Sequence, residues 1–152
     1  MNITLAQVGA GPRSRDPFDG AVRDYLKRSI GIARCGAESF QTEAAFFDWL
    51  GRQKGRTDPA LLMLDARGRQ ISSEALAEWF AACRAGGTQL VVFAVGPPDG
   101  WSEEARSDAK RRGALLSLGP MTLAHQLARL VMAEQIYRAC TILTGHPYHK
   151  GH

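Results

Sequence analysis

Residues Leu90–Val95 read LVVFAV, and this run passes directly into residues 96–100, which read GPPDG. Six consecutive apolar residues are typical of a strand that is buried on both faces, as in a parallel sheet. Glycine lets a backbone approach a ligand closely, and proline fixes φ, so the loop that follows could form one wall of a ligand pocket. Composition alone, however, favours a plain strand-to-helix turn for this loop.

Four further apolar runs are expected to form strands: residues 3–8, 30–37, 61–64 and 114–118. Helix starts are indicated between these runs by Pro17 at a first turn and by the N-cap candidates Thr42, Ser72 or Ser73, and Ser102. The longest helix is expected over residues 124–139, before an irregular tail at residues 144–152. This alternation predicts one α/β domain over residues 1–152, with a mostly parallel sheet and helices on both faces.

The composition is that of an ordinary globular protein, with 152 residues, 45% hydrophobic and 22% charged. The net charge of +4 suits a polyanionic partner without proving one. No apolar run is long enough to cross a bilayer, and the first residues do not resemble a secretory signal, so a cytoplasmic protein is expected. Cys35, Cys83 and Cys140 are too widely spaced for a zinc site and are expected to be reduced thiols.

Ligands of open α/β sheets bind beyond the carboxyl ends of the strands, here the loops at residues 9–16, 65–70, 96–101 and 119–125. In the first loop, Gly9, Ala10 and Gly11 resemble the opening of a dinucleotide fingerprint. Ser14 stands where the third glycine belongs, so a glycine-assisted turn is the better interpretation. Residues 117–123 are apolar and contain Gly-Pro; they could recognise an adenine through backbone amides, or they could be a buried connection.

Two arginines of the last helix, Arg129 and Arg138, could bind phosphate or could be structural, for instance by pairing with Glu134. The tail, residues 145–152, reads GHPYHKGH. A metal site is rejected there because no carboxylate or cysteine is near in sequence. RNA contact is preferred, because aromatic and histidine rings stack on bases and lysine meets phosphate; a frayed terminus is the alternative.

Three C-terminal segments, in this order, resemble the ribosomal RNA large subunit methyltransferase H family: residues 122–129 (TLAHQLAR), 133–139 (AEQIYRA) and 146–150 (HPYHK). The order of elements, the length and the Gly-Pro loop at Gly96 agree along the entire chain, and the terminal His-Pro-Tyr-His is the most specific match. The resemblance implies a single SPOUT domain with a C-terminal trefoil knot. It also implies methylation of N3 of a pseudouridine in 23S rRNA.

The resemblance further implies that S-adenosylmethionine is bound in the knot, and by motif match the cofactor-binding residues are Leu64, Gly96, Leu118, Gly119, Pro120, Met121, Thr122 and Leu123. The candidates for catalysis are Arg138, Tyr148 and His149, and those for RNA binding are Arg129, His146, Tyr148 and Lys150. No single general base is assigned, since positioning is expected to contribute most.

The implied partners are a second copy of the chain, whose tail would complete the neighbouring site, and 23S rRNA within the assembled ribosome; neither metal nor membrane is expected. Pro97 and Pro120 each remove an N–H from a binding loop, and they are the support for an alternative, a non-catalytic RNA-binding or ribosome-binding module. More distant alternatives are a nucleotide-dependent oxidoreductase and a SPOUT enzyme that acts on tRNA.

Overall fold

The computed structural model describes residues 1–9, 16–53 and 55–150, with the side chain of Ile30 left out. The described chain forms five strands: β1 (Asn2–Val8), β2 (Arg34–Phe40), β3 (Ala60–Arg69), β4 (Leu90–Val95) and β5 (Gly113–Leu116). They make one sheet in the order β2-β1-β4-β3-β5, and every neighbouring pair is parallel. The α/β class with a parallel sheet is therefore confirmed.

The helices alternate with the strands: α1 (Asp19–Arg28), α2 (Glu43–Arg52), α3 (Ser73–Ala85), α4 (Glu103–Arg112) and α5 (His125–Thr144). Three hydroxyl caps behave as predicted, because Thr42, Ser72 and Ser102 each accept a hydrogen bond of 3.1 Å from the backbone N–H three residues later. Such caps satisfy N–H groups that have no partner inside the helix.

Helices α1, α3 and α5 cover one face of the sheet, and α2 and α4 cover the other, so there are two cores. In β4, Val91 and Phe93 point into the first core, whereas Val92 and Ala94 point into the second. Both faces of the strand are buried, which explains why its sequence is apolar without alternation.

Several predicted boundaries were wrong. Strand β2 begins at Arg34 rather than residue 30, because Ser29–Gly31 forms a 3₁₀ turn that prolongs α1. Helix α5 continues to Thr144 and ends at Gly145, whose φ of 70° lies in the left-handed region that favours glycine.

The ends of β3 and β5 also differ from the predicted ones, and these two differences affect the candidate site. Strand β3 does not stop at residue 64 but runs irregularly to Arg69, so residues 65–69 are not a loop. Gly68 permits this close pairing, since a Cβ there would lie 2.5 Å from the backbone nitrogen of Leu116. Strand β5 ends at Leu116, which leaves residues 117–124 as an extended connection to α5. The trefoil knot stays a prediction.

Candidate functional site

The carboxyl ends of the neighbouring strands β4, β3 and β5 surround a cavity of about 520 Å³, here named the cofactor cavity. Three segments supply most of its walls: residues 64–67 of β3, the loop after β4 from residue 95 to 101, and residues 116–125 before and at the start of α5. Arg106 of α4 and Ala128 of α5 complete the lining. The volume falls in the range of small-molecule sites, and the position is where open α/β sheets bind ligands.

Seven of the eight residues predicted from sequence to hold the cofactor line this cavity: Leu64, Gly96, Leu118, Gly119, Met121, Thr122 and Leu123. Pro120 is not among the lining residues of the described chain. Met121 is 81% exposed, which is unusual for a large apolar side chain. The seven lining residues come from three places in the chain: β3, the loop after β4 and the connection to α5.

Trp101, which the sequence analysis did not select, shapes the loop after β4. Its indole is 4% exposed, and its Nε1 donates a 2.8 Å hydrogen bond to the carbonyl oxygen of Leu64. A Cβ at Gly96 would lie 2.6 Å from the same Nε1 atom. Glycine at position 96 is thus required by the indole that packs on it, whatever ligand the cavity takes. A tryptophan directly after a glycine-proline loop was the signal for this contact.

Asp65 and Arg106 form an ion pair of 2.8 Å in the cavity wall, with side chains 6% and 16% exposed. Burial by itself raises the pKa of Asp65, but hydrogen bonds from the Arg67 backbone and the Arg106 guanidinium outweigh it, so the pKa is lowered. Glu103 holds Arg106 from its other side at 2.8 Å. Asp65 is therefore a fixed carboxylate that braces β3 against α4.

His125 begins α5 and lines the cofactor cavity. Its Nε2 atom is buried and has no hydrogen-bond partner among the described residues. Burial lowers the pKa of His125, against a hydrogen bond that the ring donates to the Gly96 backbone, so the imidazole is neutral near pH 7 and the unpartnered Nε2 is an acceptor. Buried polar atoms are normally hydrogen-bonded, so this atom marks a position where a ligand group can bind.

The glycine motif near the amino terminus is described only at Gly9; its remaining residues lie in 10–15, outside the described part of the chain. Gly9 has a φ of 111°, and a Cβ there would lie 3.2 Å from Cδ of Pro98. Glycine is therefore needed for backbone conformation and for packing beneath the Gly-Pro-Pro loop.

The tail forms a second group of functional candidates, here named the tail cluster: Glu134, Arg138, Tyr148 and His149. Glu134 Oε1 accepts hydrogen bonds from Arg138 Nη2 at 2.7 Å and from the Tyr148 hydroxyl at 3.0 Å. The Arg138 guanidinium lies 4.9 Å from the centre of the Tyr148 ring. Arg138 and Tyr148 thus share one carboxylate, His149 Nδ1 lies 3.3 Å from Arg138 Nη1, and the expected pairing of Arg138 with Glu134 is present.

Two groups of the tail cluster are held in their protonated forms. Burial and hydrogen bonds with Tyr25 and Glu134 raise the pKa of Tyr148, so its phenol keeps its proton at neutral pH. The hydrogen bond to Glu134 raises the pKa of Arg138. In this arrangement Tyr148 and Arg138 act as hydrogen-bond donors, and neither can serve as a general base. His146 and Lys150, predicted to contact RNA, lie exposed beside them.

In the described chain, the tail cluster does not line the cofactor cavity. Ala128 is the last residue of α5 that lines the cavity, and Arg138 follows it by ten residues, which at about 1.5 Å per residue is about 15 Å along the helix axis. Arg138 therefore lies well away, along α5, from the lining of the cofactor cavity of its own chain.

The position of Arg129 does not suit the RNA-binding role predicted for it, because the side chain is buried. Its side chain is 1% exposed, and Nη1 donates to Asp19 Oδ1 at 2.9 Å. A guanidinium enclosed in this way cannot meet a phosphate unless its ion pair opens. The geometry supports the structural alternative, in which Arg129 fastens α5 to the first turn of α1.

Cys35, Cys83 and Cys140 are free thiols; Cys140 is buried and the other two are half-buried. Burial raises the pKa of Cys35 to about 11 and that of Cys140 to about 12, so these thiols are poorly reactive. No cluster of three metal-ligating side chains occurs within residues 1–9, 16–53 and 55–150. None of the described helices has the length and apolar character to cross a membrane.

A family model described as "Predicted SPOUT methyltransferase" matches residues 1–149. Ribosomal RNA large subunit methyltransferase H of Koribacter versatilis is 48% identical over 99% of this chain and 100% of its own length. The protein of the same name from Deinococcus radiodurans is 39% identical with the same coverage. A solved structure of ribosomal RNA small subunit methyltransferase E from Neisseria gonorrhoeae, bound to S-adenosyl methionine, covers 94% of this chain and 66% of its own at 18% identity, with a TM-score of 0.48.

Proposed function

The chain belongs to the SPOUT methyltransferases and, within them, to the ribosomal RNA large subunit methyltransferase H family, and we propose that it methylates N3 of a pseudouridine in 23S rRNA. The observation that carries the proposal is the cofactor cavity, whose walls contain seven of the residues matched to the family's cofactor site. S-adenosylmethionine would supply there a methyl group carried on a positively charged sulfur.

The residues present suit this cofactor. Leu118 and Leu123 offer apolar surface to an adenine, and the extended backbone before α5 offers amide groups. His125 adds a buried polar atom that lacks a partner in the described chain. The ion pair of Asp65 with Arg106 leaves no uncompensated charge of either side chain in the wall.

The non-catalytic alternative is not favoured. It depended on Pro97 and Pro120 closing the cofactor site, yet the cavity has a volume of about 520 Å³ with both prolines in place. Pro97 lines the cavity and removes one N–H donor, whereas Pro120 is not in the described lining, so its missing N–H costs the cavity little.

Calorimetric titration with S-adenosylmethionine tests the cofactor assignment. We expect saturable binding by the native chain and none by Leu123→Arg, because a guanidinium would occupy the adenosine side of the cavity. Leu143→Arg is the matched control, since Leu143 is a half-exposed leucine near the far end of α5. Loss of binding in both variants, or in neither, would refute the placement of the cofactor.

Methylation of ribosomal particles tests the substrate. We expect transfer to large subunits within assembled ribosomes that lack the modification, with the product mapped to N3 of pseudouridine by mass spectrometry. Equal methylation of naked 23S rRNA would contradict the requirement for the assembled ribosome, and methylated tRNA would contradict the substrate class. The protein is accordingly assigned to the cytoplasm, where ribosomes are.

A homodimer is part of the proposal, with the tail cluster of one subunit serving the cofactor cavity of the other. Two observations support it: Arg138 lies about 15 Å along α5 from Ala128 in the lining of its own cavity, and apolar side chains are exposed near that cavity at Met121 and Leu127. Exposed apolar surface of this kind marks interaction sites.

Subunit complementation distinguishes a shared site from a separate one. Leu123→Arg removes the cofactor site and Arg138→Ala the tail cluster, so each homodimer should be inactive. Mixed dimers should recover activity, because one of their two sites combines an intact cavity with an intact tail. Mixed dimers without activity, shown to form by sedimentation, would refute the shared site.

A further inference from the structure

A second cavity, of about 240 Å³, adjoins the cofactor cavity. The two share one wall, formed by residues 116–119 at the end of β5 and the start of the following connection. The other walls come from residues 70–72 and Leu76 around the start of α3, and from Val131, Met132 and Gln135 on α5. None of the residues matched to the family's catalytic or RNA-binding positions lines this cavity.

The lining has the chemistry of a pocket for a flat heterocycle. Apolar side chains supply faces on which a ring can pack, namely Ile71, Leu76, Leu118, Val131 and Met132. Polar side chains are few and lie among them: Gln70, Ser72, Ser117 and Gln135. Proteins hold an unstacked base by packing apolar side chains against the face of its ring and by directing a few polar groups at its edge.

Gln135 is held in one orientation by its neighbours. Ser73 Oγ donates to its Oε1 at 2.6 Å, and its Nε2 donates to Glu134 Oε2 at 2.7 Å. These contacts specify which end of the amide is oxygen, because Glu134 can only accept when ionised. A carbonyl oxygen accepts two hydrogen bonds, so Oε1 keeps a second acceptor position after bonding Ser73.

The same contacts tie the second cavity to the tail cluster. Glu134, which holds the amide of Gln135, is also the carboxylate that binds Arg138 and Tyr148. His149 in turn reaches Glu74, the neighbour of Ser73 on α3, at 2.8 Å. Gln135 therefore belongs to a hydrogen-bonded network that holds its amide at the second cavity.

We propose that the second cavity receives the target pseudouridine base, and that Gln135 Oε1 accepts a hydrogen bond from its N1–H. This inference rests on the proposed function. Pseudouridine is joined to ribose through carbon, so its N1 carries a hydrogen, whereas N1 of uridine is bonded to the sugar and has none. A hydrogen-bond acceptor facing N1 therefore selects pseudouridine over uridine, and it leaves N3 free to react.

Selectivity for the base is the readout, measured as kcat/KM on ribosomes that carry either pseudouridine or uridine at the target position. Gln135→Leu removes the acceptor and should lower the preference for pseudouridine by about 10-fold, the effect of one hydrogen bond. A purely structural role for Gln135 would reduce both activities equally, and an unchanged preference in Gln135→Leu would overturn the proposal.

Filling the cavity is an independent test. Val131→Trp places an indole in the second cavity from a half-exposed position and should lower kcat/KM on ribosomes by about two orders of magnitude by excluding the base. Its affinity for S-adenosylmethionine, measured by calorimetry, should stay within about twofold of native, since Val131 does not line the cofactor cavity. Glu78→Trp, on the exposed face of α3, is the control and should behave as native.

The outcomes separate this proposal from the function on which it rests. A folded Val131→Trp protein that binds cofactor and methylates at the native rate overturns the base pocket alone. A native protein that binds cofactor but methylates no ribosomal particle overturns the proposed function, and the base pocket with it.

Discussion

Arg138 and His149 lie side by side, with Arg138 Nη1 3.3 Å from His149 Nδ1. A guanidinium has only N–H donors, so Nδ1 must be the acceptor, and the imidazole carries its proton on Nε2. That Nε2–H donates to Glu74 Oε1 at 2.8 Å. The two contacts therefore fix the orientation of the tail imidazole between Arg138 on α5 and Glu74 on α3.

Replacing Arg138 by lysine should lower kcat/KM on ribosomes by about 100-fold while leaving cofactor affinity unchanged. A lysine ammonium cannot bond Glu134 through two nitrogens and reach His149 at the same time, so the cluster loses its geometry. Arg52→Lys is the control, because Arg52 makes the same i,i+4 ion pair, with Asp48, on an exposed helix surface. Equal losses in the two variants would mean that Arg138 acts through folding alone.

Asp19→Ala should destabilise the fold by about 3 kcal/mol, because it leaves the buried guanidinium of Arg129 without its carboxylate. Urea denaturation at pH 7 measures the free energy of unfolding. Asp24→Ala, which removes an exposed partner 3.4 Å from Arg28, should cost less than about 1 kcal/mol. Similar costs for the two variants would show that the burial of Arg129 adds nothing to its ion pair.

The ion pair of Asp19 with Arg129 also predicts how the free energy of unfolding depends on pH. The hydrogen bond from Arg23, with further contributions from Arg129, lowers the pKa of Asp19 despite its partial burial. A carboxyl with a lowered pKa stabilises the fold fully above its unfolded pKa of about 3.9, and this stability is lost as the pH falls through the folded value. The difference in unfolding free energy between native and Asp19→Ala proteins should stay constant from pH 7 to about 5 and shrink below about 4. A difference that does not change with acidification would contradict this.

Gly96→Ala should destabilise the protein by about 2 kcal/mol and weaken cofactor binding, since the new methyl group would overlap the indole of Trp101. Displacement of the indole would also stretch its hydrogen bond to Leu64. Thermal unfolding and calorimetry follow the two effects. Gly36→Ala on β2 is the matched control, because nothing lies within 4 Å of the added Cβ. A native-like Gly96→Ala would mean that Trp101 shifts at no cost.

His125→Leu should weaken S-adenosylmethionine binding about 10-fold while changing the free energy of unfolding by less than about 1 kcal/mol. The reason is that Nε2 is buried without a partner in the described chain and is available to the ligand, so the free protein loses only the hydrogen bond between the imidazole and the Gly96 backbone. His146→Leu, in the exposed tail, should bind the cofactor as the native protein does. Unchanged affinity in His125→Leu would show that the ligand does not reach this atom.

Local patterns were sufficient for most of the architecture. The apolar run of β4 predicted a strand buried on both faces, and the hydroxyls of Thr42, Ser72 and Ser102 predicted three helix starts, because burial period and capping depend on near neighbours in sequence. Predicted boundaries were wrong where contacts between residues distant in sequence extend an element: β3 continues to Arg69 because Arg69 pairs with Leu116 of β5. The segments that line the cofactor cavity could also be predicted, since every parallel strand ends at the same edge of its sheet.

What the sequence alone determined, then, is the parallel sheet, the capped helices, the edge where a cofactor would bind and the family to which the chain belongs. Only the tertiary structure decided which side chains are enclosed and which meet. The sequence left Arg129 open between phosphate binding and a structural role, and the structure pairs it with Asp19, 110 residues away. Gln135 was part of a matched segment without an assigned role, and the structure bonds it to Ser73, 62 residues away. The physical reason is that burial, ion pairing and amide orientation depend on partners that folding brings together, and no local period or spacing carries that information.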